Sequence, residues 1–178
     1  MLSATLRKTS TSSVFQSLIV ALVLSRLDYC NSVLLGLPAN LIHRLQSVQN
    51  AAARLICRIR RSEHTPALIN LHWLRVPERI SFKLAVLTYR YIHSTSPNYI
   101  QSCFTRVADM TSRRRLQSTA SHRLEVPPVL STVDKRAFPI AGANMWNDLP
   151  FHITSAQSLA VFRQHLKTFL FLIPTRIS

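Results

Sequence analysis

Two glycines, Gly36 and Gly142, serve the whole of this 178-residue chain. Tight turns, bulges and phosphate-cradling loops draw on glycine because it enters left-handed backbone space without steric cost. A β-sandwich or a nucleotide loop usually needs more of them. The scarcity points to helices. The expected fold is mainly α: a helical, bundle-like domain with an αα-hairpin in its N-terminal half, a basic loop and at most one short β-hairpin. A chain of this length buries roughly 70% of the surface its unfolded form exposes, enough for a real core.

Charge is the second constraint. Lys and Arg number 22 against 7 acids, giving a formal charge of +15. Such an excess attracts polyanions, chiefly nucleic acid and secondarily anionic membrane. Lysine occurs only at Lys8, Lys83, Lys135 and Lys167, so the charge is almost all arginine. Arginine forks onto phosphate and stacks on bases better than lysine does. The plainer reading is a piece of something larger whose acidic partner surface is missing. Cys30, Cys57 and Cys103 form no CxxC pair, which indicates neither a disulfide framework nor a zinc clip, but free buried thiols in a reducing compartment.

Along the chain, 1–13 reads as a flexible segment, 14–104 as a helical region, 105–137 as a basic, Ser/Thr-rich and proline-containing loop, 138–173 as a C-terminal helical segment packing on the first, and 174–178 as a tail. The apolar run Val14 to Leu24 is too short to span a bilayer and no small-residue cleavage site comes after it. It reads as a core helix extending to Leu35, with Gly36 at a left-handed C-cap. A second helix, Pro38 to Arg61, carries Leu41, Leu45, Val48, Ala52, Leu55 and Ile59 on one stripe. Arg44, Arg54, Arg58 and Arg61 fall on an adjacent arc about 100° wide at 3.6 residues per turn. No acid lies between Asp28 and Glu63, so this arc reads as a phosphate-facing edge beside the core, or as a solvated flank.

Thr65 and Pro66 open a short turn through Leu71, and Trp73 reads as a core anchor. Pro77 and Glu78 suit a helix N-terminus ahead of the stripe Ile80, Leu84, Leu87 and Tyr91, with Arg79, Lys83 and Arg90 on its polar side. Residues 105–123 hold Arg106, the run Arg113, Arg114 and Arg115, and Arg123. This is either an arm for nucleic acid or a solvated linker. Residues 124–140 contain three prolines and room for a short strand or two. A helical turn over 141–148 carries Trp146, and Ser155 or Ser158 caps a last helix with Leu159, Phe162, Leu166, Phe169 and Ile173 down one side.

Few residues offer chemistry. Metal-assisted phosphoryl transfer needs clustered carboxylates. The nearest two acids, Glu125 and Asp134, are nine positions apart. The seven histidines lack ligand-spaced partners, and no phosphate-loop, dinucleotide, HExxH or GxSxG motif is present. No catalytic residue, metal site, cofactor or small-molecule substrate is expected.

Five segments, LSRLDYCNSVLLGLP (24–38), RLQSVQNAAARLI (44–56), LHWLRVPERISFKLAVLTYRYIH (71–93), MWNDLP (145–150) and SLAVFRQHLKTFLF (158–171), together make a family resemblance. The chain resembles the region downstream of the reverse transcriptase domain in LINE-type (non-LTR) retrotransposon polyproteins, from about Val14 to Phe171. Arg75 stands where that family's HWLPV segment carries proline. The parent polyprotein is an RNA-directed DNA polymerase with a paired-aspartate motif, and Asp28, in LDYCN, is not that motif. The resemblance implies a non-catalytic C-terminal region that contacts RNA or DNA and a reverse transcriptase domain in trans. Two alternatives stand beside it: a relic reading frame without activity, and a mitochondrial helical protein with a cleaved leader within residues 1–27. The expected compartment is cytoplasmic or nuclear, with the mitochondrion the alternative.

Overall fold

The computed structural model describes residues 13–29, 34–59, 65–97, 100, 103–109, 123–128, 131 and 137–172. The chain is mainly α, and among the described residues there is no strand. It divides into two compact units, Met1–Asn31 with Leu37–Arg79 and Ser32–Gly36 with Ile80–Ser178.

In the first unit, helix α1 is α-helical over 13–19, passes through a π turn Val20–Leu24 and closes with an α turn Ser25–Asp28. Tyr29 leaves helical space (ψ 127°), so the helix stops short of Leu35. Apolar residues return at Val33, Leu34 and Leu35, and no glycine or proline marks a stop before Gly36, so the sequence pattern carries the helix past its end. Nor is α1 a core helix. Ile19 and Leu24 are buried, whereas Val14, Phe15, Leu18, Val20 and Leu22 are exposed. The π turn inserts a residue and rotates the rest of the helix by about 100°, so no continuous apolar stripe faces inward.

Gly36 adopts the left-handed conformation (φ 72°), and Pro38 precedes helix α2, Ala39–Cys57. The Pro38 carbonyl accepts from the N–H groups of Leu41 and Ile42. The expected apolar stripe of α2 is displaced: Val48 and Leu55 are exposed, and Gln49, Ala52 and Ala53 are the buried positions. Two causes fix this. Ala53 is small enough to let Ala67 and Leu68 of α3 (Thr65–Asn70) approach, with Cys57, Ile59, Leu71 and Trp73 packed around them. The amides of Gln46 and Gln49 are then used to grip the chain entering α4 (Val76–Ile92): Gln49 Nε2 donates to the Leu74 carbonyl (2.8 Å), and Gln46 Oε1 accepts from the Val76 N–H (2.8 Å). Gln46 Nε2 in turn donates to Gln49 Oε1 and Asn50 Oδ1. Buried amides are tolerated because each polar atom finds a partner.

The second unit is organised around Tyr89 of α4. Its ring stacks on Phe162 (centroids 4.4 Å apart) and meets Trp146 at 6.4 Å, and its hydroxyl donates to the Ala156 carbonyl (2.9 Å). Trp146 belongs to helix α5, Phe138–Asn147, which begins three residues earlier than expected because Pro139 sits in its first turn, where the missing N–H costs nothing. A short helix α6, Phe151–Thr154, leads to α7, Leu159–Leu172, whose N-terminus Ser158 caps through its hydroxyl (Val161 N–H to Oγ, 3.3 Å). Phe162, Leu166 and Leu170 are the buried residues of α7; Ile173 lies outside the described residues. Gly142 is required by packing rather than by a turn. A Cβ there would lie 2.6 Å from Phe104 Cζ, and Phe104 is itself held between Tyr91 and Phe138.

Among the described residues no β-hairpin is present, and one isolated antiparallel bridge joins Arg106 to Leu124. Val107 donates to the Arg123 carbonyl and Glu125 to that of Thr105. The Arg106 guanidinium donates to the carbonyl of Ile92, closing the C-terminal end of α4.

Candidate nucleic-acid interface

Arg44 and Arg54 lie on α2, ten positions apart, a rise of roughly 15 Å along the helix. Arg44 is exposed and Arg54 half-buried in the last turn, where its charge complements the negative end of the helix dipole. Arg58 is not on the helix. It is exposed and left-handed (φ 55°, ψ 38°), and its N–H donates to the Arg54 carbonyl, as does that of Ile59. The structure therefore brings Arg54 and Arg58 together at the C-terminal end of α2 and leaves Arg44 two to three turns away. The expected arc of four is broken after Arg54, because a C-cap without glycine gave no signal of the helix end. Arg61 and the run Arg113, Arg114 and Arg115 lie outside the described residues.

Other arginines are committed to the fold. Arg79 makes a forked pair with Asp28, Nε to Oδ1 at 3.0 Å and Nη2 to Oδ2 at 2.6 Å. Sequence spacing could not show this, since the partners are 51 residues apart. Arg106 is bound to the Ile92 carbonyl. Arg26, which no pattern in the sequence singles out, is exposed in the same unit as Arg44 and Arg58. In the second unit Lys83, Arg123, Arg163 and Lys167 are exposed, the last lying 5.8 Å from the Phe171 ring centre.

Glu78 stands in the first turn of α4 with Oε2 buried and without a hydrogen-bond partner. Burial pushes its carboxyl up from the usual value, against the opposing pull of its own backbone N–H and of Arg75. Burial likewise raises the Tyr89 and Tyr91 phenols. Among the described residues no three His, Cys, Asp or Glu side chains gather where they could hold a metal ion, and no helix is long and apolar enough to cross a membrane. Cys57 and Cys103 are half-buried and neither is in a disulfide. No protein-family model, curated protein or solved structure matches this chain.

Proposed function

We propose that this protein is a non-catalytic nucleic-acid-binding region of the kind found after the polymerase domain in LINE-type retrotransposon reverse transcriptases. The observation that carries the reading is the disposition of arginine in a +15 chain: Arg44 and Arg58 are exposed, Arg54 borders Arg58, and Asp28, an acid of the same unit, is paired with Arg79. Arg61 and Arg113 to Arg115 extend the same arginine-rich character in sequence. Guanidinium groups on a polar surface contact phosphates and fix register without reading bases. The ligand is RNA or DNA bound through its backbone, and a reverse transcriptase domain in trans is the protein partner this reading implies. Titration of labelled single-stranded RNA and of a primer–template at several salt concentrations tests it. Binding that weakens linearly in log–log coordinates as salt rises is the expected result; undetectable or salt-insensitive binding would overturn it.

A further inference from the structure

Helix α1 carries apolar surface that its own unit does not use. Val14, Phe15 and Leu18 fall within an arc of about 100°, with Leu22 one turn on. These four are 56%, 42%, 53% and 69% exposed, respectively. Residues 13–25 contain no charge. Two of the helix's serines turn their hydroxyls back onto it: Ser17 donates to the Ser13 carbonyl (3.0 Å) and Ser25 to that of Ala21. Across 14–24 the polar side chains are Gln16, which is exposed, and Ser17, which is turned back onto the helix. Exposed Arg26 comes immediately after, in a chain of formal charge +15. A surface that suits this face is apolar along the helix and negative at its Arg26 end. A second copy would bring an equal positive charge. Nucleic acid supplies the anions but nothing to receive Leu18 and Leu22. A protein partner would find no charged group over 13–25 to fix its register. An anionic lipid surface supplies both requirements and needs no register.

We propose that α1 is a membrane-surface docking element. It lies in the plane of an anionic bilayer, with Val14, Phe15, Leu18 and Leu22 in the boundary between headgroups and acyl chains and exposed Arg26 at the lipid phosphates. Interfacial helices bind in this way without spanning, their strength rising with buried apolar area and with attraction to anionic lipid. The test is flotation of the full chain with vesicles of phosphatidylcholine alone and of phosphatidylcholine mixed with phosphatidylserine, beside a Leu18→Asp/Leu22→Asp variant. Circular dichroism checks the fold, and a Leu18→Ser/Leu22→Ser variant serves if the aspartates disturb the helix. The expected result is flotation with the mixed vesicles only, and a loss of roughly tenfold or more in the variant. No flotation, or equal flotation of wild type and variant, would overturn the proposal. So would a lipid-free dimer abolished by the same substitutions in a protein that ignores vesicles, which would give the face to a second copy.

Discussion

The side-chain amide of Asn147 pairs with both backbone polar groups of Leu124: Oδ1 accepts from the Leu124 N–H at 3.0 Å, and Nδ2 donates to its carbonyl at 2.9 Å. The amide thus stands in for a neighbouring strand on the side of Leu124 opposite the Arg106 bridge, and it ties the MWNDLP segment to a residue that is 2% exposed. Asn147→Ala leaves both groups without their partner and is expected to cost about 1–3 kcal/mol. Asn147→Asp retains the acceptor but sets a carboxylate against the Leu124 carbonyl, and is expected to cost at least as much. Chemical denaturation of the two variants checks the order.

Three helices end on a left-handed residue that is not glycine: Arg58 after α2, His72 after α3 and Ser94 after α4, with φ between 51° and 55°. In each case the residue after it donates back across the turn, Ile59 to Arg54, Trp73 to Leu68 and Thr95 to Arg90. This is the geometry in which glycine is usual, because a Cβ there costs roughly 1 kcal/mol. His72→Gly and Ser94→Gly are each expected to raise stability by up to about 1 kcal/mol. Arg58→Gly is expected to raise stability likewise and to weaken nucleic-acid binding, two effects of opposite sign from one substitution. Thermal melts and an RNA titration on the same preparation measure both.

The Glu78 carboxyl titrates above its usual 4.5, with burial the largest cause. A folded pKa above the unfolded one means that the native state holds its proton longer. Stability then falls as pH rises from 4.5 through the raised value, and stays lower beyond it. Glu78→Gln is expected to stabilise the protein at neutral pH and to make no difference well below pH 4.5. Melting temperatures across that range, variant against wild type, read the sign directly.

Much of the second unit is legible in the sequence. Ile80 and Leu84 of α4, and Phe162 and Leu166 of α7, are buried as their spacing implies. In the first unit spacing misleads, for reasons that lie in tertiary structure. The side of α2 that goes inward carries Gln46 and Gln49, which look like solvent residues until Leu74 and Val76 are placed against them. The exposed α1 looks like core because a π turn leaves no mark in composition. Of the candidate site, the exposure of Arg44 follows from its place on the wheel; the departure of Arg58 from the helix does not, because its C-cap lacks the glycine that would have announced it.

The buried amide network predicts its own cost. Gln49→Leu fills the same volume but leaves the Leu74 carbonyl unpaired and Gln46 short of one acceptor. A loss of about 1–3 kcal/mol is expected, read by chemical denaturation, whereas Val48→Gln on the exposed side of the same helix should change little.

The most direct test of the account is the salt dependence of single-stranded RNA binding by the wild type and by an Arg44→Gln/Arg54→Gln/Arg58→Gln variant. Each phosphate contact contributes about 0.7 to the log–log slope on a single strand. If these three arginines contact phosphate, the variant binds more weakly and its slope is shallower by about two. An unchanged slope, with the variant folded as the wild type is, would contradict the assignment of this surface to nucleic acid.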